Sequence, residues 1–340
     1  MGQLQDFAIA TSAPLGYFFL PEPPVEPLPI PDYRTVSDSV VRQPSGDLLD
    51  TIHLMQQRQE WLRDTLIEQE AEPLGFVGSG TLKDVPEAIG QEMRAMLGLD
   101  GGWAREVRTW KQAVTELRRA IESIGVMAVI NGIVGNNTHR KLDVGEFRGF
   151  ALSDRYAPLI FVNGADWESA KMFTLAHELA HIWLGQGALS GFERLMPIYN
   201  EIEVFCNTAA AEFLVPQREL REFWPTARRT ENPFAAVARC FKVSPIVGAR
   251  RALDLRLITR DSFFDFYEEH RARHQGSRRK DAGGGDFYKN QNTRIGARFA
   301  TEVMRATKEG RLLYRDAYRL TGLHGATFAR YAKYLGFGTL

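Results

Sequence analysis

The chain has 340 residues, 44% hydrophobic and 25% charged, with 42 basic and 42 acidic side chains and a formal net charge of zero. These are the proportions of an ordinary soluble globular protein, and they make no whole-chain case for binding nucleic acid or a membrane surface. Cys206 and Cys240 are too few and too scattered for a disulfide framework or a cysteine-type zinc site. The N-terminus lacks a signal-peptide pattern and no apolar run reaches membrane-spanning length, so the expectation is a cytoplasmic protein with reduced thiols and no membrane partner.

The zero balance conceals an asymmetry. Residues 271–340 hold fifteen Lys/Arg against five Asp/Glu, an excess of ten, so the first 270 residues are ten negative. In chain order, Leu4–Ala10 has helical character and runs into apolar Leu15–Leu20. Pro21, Pro23, Pro24, Pro27, Pro29 and Pro31 then forbid helix and favour an extended strap, with Leu28 and Ile30 placed to rest on an apolar surface. Residues 1–36 form this N-terminal piece and strap.

Residues 37–270 carry the main domain, with a helical lead-in over 37–125. Leu48, Leu49, Ile52, Met55 and Trp61 mark one helix, and Pro86 opens a second that runs to about Leu97. A third is predicted over Trp103–Ile124 from apolar residues recurring at spacings of four and three. After Gly125 the pattern shortens to three strands, Val126–Ile130, Phe147–Leu152 and Pro158–Val162, whose short connections favour an antiparallel sheet.

Residues 172–184, Met-Phe-Thr-Leu-Ala-His-Glu-Leu-Ala-His-Ile-Trp-Leu, read as one helix with Asp166 as the expected N-cap. His177 and His181 stand four apart, on one helix face, where two imidazoles can grip one metal ion. Glu178, about 100° round the helix, can reach a water on that ion as general base. A catalytic zinc takes three protein ligands and keeps a position open. Gly187 stands where a metzincin would have its third histidine, so the third ligand falls to a carboxylate: Glu193, Glu201, Glu203 or Glu212. Glu203 is preferred. Its helix, Asn200–Val215, is apolar all round and so expected to be buried, and a buried carboxylate needs a partner. Asn207, one turn on, is placed to hydrogen-bond a ligating imidazole.

Two short helices over 233–257, joined at Val243-Ser244-Pro245, have helix-turn-helix spacing, and 217–270 as a whole is read as helical. Residues 271–285 are basic and then glycine-rich, a linker to a basic helical segment over 286–340, in which Thr321-Gly322-Leu323 makes a turn.

Phe-Thr-Leu-Ala-His-Glu-Leu-Ala-His, preceded by Ala157-Pro-Leu-Ile-Phe-Val-Asn163, resembles the ImmA/IrrE family of metallo-endopeptidases. Glu203-Val-Phe-Cys-Asn207-Thr-Ala-Ala-Ala-Glu-Phe-Leu-Val-Pro216 is similar to that family's second motif, with Cys206 for the usual Ala and Ala209 for the usual Phe. The similarity covers about residues 105–260. It implies a mostly helical α+β fold of zincin (gluzincin) type, zinc as cofactor with manganese or iron as alternatives, and His177, His181 and Glu203 as ligands. It also implies cleavage of a partner Xre-like repressor, which lifts repression in stress or mobile-element regulation. Pro14–Pro24 and Pro29–Arg34 resemble the join between an Xre-type helix-turn-helix and the peptidase, of which only a remnant is expected here.

Substrate is expected to add as a strand to a sheet edge at Pro158–Asn163. The second oxyanion donor stays open among Tyr199, His274 and several arginines. The alternatives to a peptidase are a non-catalytic regulator that binds DNA or protein through 271–340, with a structural or vestigial metal site, and a toxin–antitoxin component.

Overall fold

The chain is described by a computed structural model over residues 2–11, 15–22, 29–30, 44–99, 101–190, 200–274 and 287–338. Helix α1 (Gly2–Thr11) and a short 3-10 turn (Leu15–Phe19) begin the chain. Of the strap, Ile30 is buried against the core as expected, while Leu28 lies outside the described residues. Ser45 caps α2 (Gly46–Glu68), its hydroxyl accepting from the Leu48 amide. Helix α3 (Pro86–Met96) begins on its proline.

The single helix expected over Trp103–Ile124 is two, α4 (Trp103–Glu106) and α5 (Trp110–Ser123). Val107 is extended and the Thr109 hydroxyl accepts from the Gln112 amide, so a cap in mid-pattern restarts the helix.

The strands are β1 (Met127–Asn131), β2 (Ile133–Val134), β3 (Asn137–Lys141), β4 (Gly149–Leu152) and β5 (Leu159–Asn163). Helix α6 (Glu168–Trp183) and strand β6 (Ala188–Ser190) follow. The main sheet runs β1-β5-β4-β6, and β2-β3 is a separate hairpin. This corrects the antiparallel expectation: β4 is antiparallel to both neighbours, but β1 and β5 are parallel, Met127 facing Leu159 and Asn131 facing Asn163. The chain leaves β1, makes the hairpin and β4, and returns to insert β5 between them. Strand β5 is therefore interior, and the expected substrate edge at Pro158–Asn163 does not exist.

Burial explains this order. Ala128, Ile130, Ala151, Ile160 and Val162 join one core, while Met127, Val129, Phe150, Leu159 and Phe161 join another. Alternate side chains point to opposite faces, so both faces of the sheet are covered. Such strands read as unbroken apolar runs. One covering layer holds α3, α5 and α6 with α7 (Glu201–Leu214), α8 (Gln217–Ala227), α9 (Pro233–Phe241) and α10 (Pro245–Asp254). Helix α11 (Arg260–His274) follows. The other layer holds α2 with α12 (Phe287–Ile295), α13 (Ala297–Lys308), α14 (Tyr314–Thr321) and α15 (Gly325–Tyr334). The C-terminal helices thus share a core with the sheet; of the expected linker over 271–285, residues 275–285 lie outside the described residues.

The pair α9–α10, expected to have helix-turn-helix spacing, is packed inward. Gly248, Ala249, Arg251 and Ala252 of α10 are buried, while Arg250 and Asp254 on its outer side pair with each other at 2.9 Å. Arg251 pairs with Glu212 of α7, which also accepts from the Gln217 amide at 3.1 Å and Gln91 Nε2 at 3.2 Å. Removing one partner of a buried ion pair strands the other charge. Glu212→Ala is expected to destabilise the fold by about 3–5 kcal/mol in urea titration; a loss below about 1 kcal/mol, the range of an exposed pair, would contradict it.

Candidate metal centre

Helix α6 crosses one face of the sheet, and from Lys171 to Trp183 all its residues but Phe173 are buried. Its start differs from expectation. Trp167 occupies the N-cap with no side-chain cap bond, while the Asp166 carboxylate accepts from the Trp167 amide at 2.8 Å and lies 3.4 Å from Arg148 of the β4 approach. Asp166 ties the β5–α6 turn to the sheet and does not cap the helix.

His177, Glu178 and His181 have no exposed surface. The two Nε2 atoms are 3.0 Å apart, and Glu203 of α7 closes a triangle with Oε1 3.1 Å from His181 Nε2 and Oε2 3.3 Å from His177 Nε2. Asn200 starts α7 by accepting from the Ile202 amide, which sets the helix phase that turns Glu203 inward. Glu201 is exposed, Glu212 is committed to Arg251, and Glu193 lies outside the described residues, as do Tyr199 and the His274 side chain. Helix α7 is not buried all round as expected: Val204 is 48% exposed.

The three donors fit a metal ion. Tetrahedral bonds of about 2.0–2.1 Å separate ligand atoms by roughly 3.3 Å, and all three distances lie close to that. The charge state agrees. Burial would push Glu203 up, but His177 and His181 outweigh it and hold the carboxyl well below the usual range. Burial would likewise pull His181 down, but the Cys206 thiol hydrogen-bonded to it, Glu203 and Glu178 together raise its pKa well above the ordinary imidazole value. The His177–His181–Glu203 cluster, its ligand atoms all within 4.8 Å of one another, could hold a cation.

Asn207 does not make the expected bond. Its Oδ1 is buried and accepts no hydrogen bond among the described residues. The neighbour of the His181 ring is instead Cys206, three residues after Glu203 and hence on the same helix face. That spacing was the available signal. Gly149 of β4 carried no signal. A Cβ there would stand 2.6 Å from Thr174 Cγ2, 2.8 Å from the Phe161 carbonyl and 3.1 Å from Glu178 Oε1. Only glycine lets the sheet lie this close to Glu178.

Residues 137–253 match a family model described as the IrrE N-terminal-like domain. This segment is a peptidase domain of the ImmA/IrrE family. It takes in Gly149, His177, Glu178, His181 and Glu203. Residues 295–334 match a second model, described as a domain of unknown function (DUF8813). No curated protein and no solved structure matches the chain. Among the described residues no helix is long and apolar enough to cross a membrane.

If Glu203 completes the ligand set, purified Glu203→Ala protein should hold less than about one-tenth of an ion per chain by mass spectrometry, against about one in wild type and in Glu201→Ala. Equal metal in Glu203→Ala and wild type would exclude Glu203.

Proposed function

We propose that the chain is a metal-dependent endopeptidase of the gluzincin type, with His177, His181 and Glu203 as ligands and Glu178 as general base. The observation that carries this reading is the buried triangle of two imidazoles and a carboxylate inside an ImmA/IrrE-family peptidase domain, with a second buried carboxylate next in sequence to the first histidine. Two imidazoles and one carboxylate suit zinc, with manganese or iron as alternatives.

An ion held there would act as a Lewis acid and lower the pKa of a bound water from about 15.7 toward about 7. Glu178 accepts the proton of the attacking water and delivers it to the amide nitrogen as the C–N bond breaks. Its burial on α6, close under Gly149, keeps bulk water from competing for that carboxylate.

An extended peptide would be held by β6, the outer strand of the sheet on the β4 side. Ser190 of β6 is in register with Gly149, so a strand added there runs past the level of Glu178. The resemblance to the ImmA/IrrE peptidases supports an Xre-like repressor as the protein substrate, cleaved to relieve repression in the cytoplasm.

Glu178→Gln preserves shape and removes the base. It is expected to keep wild-type metal content and to lose peptide hydrolysis by a factor on the order of 10²–10⁴. The check is a comparison of newly formed N-termini in cells expressing wild type and variant. A wild-type-specific N-terminus within a helix-turn-helix repressor supports the assignment. The same cleavages in both strains would remove Glu178 from the mechanism.

A further inference from the structure

We propose that α14 and α15 form a helix-turn-helix that binds double-stranded DNA, with α15 as the helix that enters the major groove. An eight-residue helix and a ten-residue helix are joined by Gly322, Leu323 and His324. Gly322 ends α14 at φ 68°, the left-handed conformation that glycine tolerates, and three residues with a glycine is the connection this motif uses. Helix α13 packs behind the pair, completing the three-helix unit in which such a motif is usually presented.

The faces divide as DNA binding needs. Ala317 and Leu320 of α14, Leu323 of the turn, and Phe328, Tyr331 and Ala332 of α15 are buried. Ala326, Arg330 and Lys333 are exposed at spacings of four and three, so they form one stripe along α15. The helix opens with Gly325, Ala326 and Thr327, whose small side chains permit close approach of its N-terminal end to base edges. Arg315 and Arg319 are exposed on α14, the helix that crosses the phosphate backbone in such complexes. In α14 and α15 four Lys/Arg face one acidic residue, Asp316, and α15 has none.

The rest of the chain adds to the contrast. Residues 1–270 are ten negative and 271–340 ten positive, so the field of the whole molecule turns this end toward a polyanion. The turn is also firmly mounted. Arg58 Nε of α2 donates to the Leu320 carbonyl at 2.9 Å, and the Asn136 amide of the β2–β3 hairpin donates to the Gly322 carbonyl at 3.0 Å. A rigid turn fixes the second helix relative to the first, which groove recognition requires. The α9–α10 pair has comparable spacing, but Arg250 on the outer side of its second helix is paired with Asp254, whereas α15 carries Arg330 and Lys333 with no acidic residue.

The test uses the full-length protein and a fluorescein-labelled mixed-sequence duplex several helical turns long, with anisotropy read between about 50 and 200 mM salt. Wild type is expected to bind, with log affinity falling linearly against log salt. Arg330→Ala/Lys333→Ala should weaken binding on the order of tenfold or more and reduce that slope by about 2. Arg218→Ala, an exposed arginine on α8, should change neither. All these side chains are exposed, so unchanged melting curves and metal content certify the fold. Arg315→Ala/Arg319→Ala gives a second reading from α14, with the same direction expected. No binding by wild type at about 50 mM salt, wild-type affinity in both double variants, or displacement of the duplex more readily by single-stranded RNA than by unlabelled duplex would each overturn the proposal.

Discussion

A constraint of electrostatics organises this fold: four ionisable side chains, His177, Glu178, His181 and Glu203, are placed together in a nearly dry interior. Burial by itself would neutralise each of them. For Glu203 and His181 the neighbours outweigh it: His177, His181 and Glu203 stand within 3.0–3.3 Å of one another, the imidazoles hold the Glu203 carboxyl low, and Cys206, Glu203 and Glu178 raise His181. The surrounding architecture serves that proximity. Helix α6 must lie on a sheet whose other face is sealed by α2 and the C-terminal helices, and α7 must approach closely enough to bring a carboxylate across. The buried Glu212–Arg251 pair at the far end of α7 locks that approach. One end of the helix is fixed by an ion pair so that the other can present an ion site.

How far the sequence foretold this depends on what each residue's signal is. His177 and His181 were legible because four residues on a helix is a geometric statement, and Glu203 because a carboxylate among apolar neighbours is a physical anomaly. Strand positions were legible too, but strand order was not. Val126–Ile130 and Pro158–Val162 are unbroken apolar runs, and their lack of alternation already signals burial on both faces, hence interior or parallel strands. Reading the connections as short turns gave more weight to loop length than to that signal. The break at Val107–Thr109 stayed hidden because a capped restart preserves an apolar stripe across it. Gly149 could not have been found, since its contribution is an absent side chain 3.1 Å from a carboxylate.

The corrected strand order changes what kind of substrate the site can take. With β5 flanked by β1 and β4, a peptide has no ladder to join there. The outer strand on the β4 side is β6, three residues long, which follows α6 after four residues. Its pairing with β4 at Gly149–Ser190 carries the level of Glu178 outward by one strand spacing, about 4.8 Å. A peptide added beyond it needs an extended segment, and a folded helix would not pair. On the proposed reading, a repressor is therefore cut in a linker or a locally unfolded stretch, where backbone amides and carbonyls are free to enter a ladder.

The second core then acquires a role beyond covering the sheet. The same cluster that seals Met127, Val129 and Phe161 holds Phe299, Phe328 and Tyr331, and the turn before α15 is bonded to α2 and to the hairpin that follows β1. A helix mounted on that core is packed against the same sheet that α6 crosses. If α15 holds DNA, the peptidase is brought to the polymer on which its proposed substrate sits. The encounter between enzyme and repressor then becomes effectively intramolecular, at local concentrations in the millimolar range for short separations, on the order of 1 mM. Fixed geometry makes this selective as well as fast, because only repressors bound at a distance and face that β6 can reach gain the advantage. A weak peptide-binding edge would then suffice for specific cleavage, which fits a receiving strand of three residues.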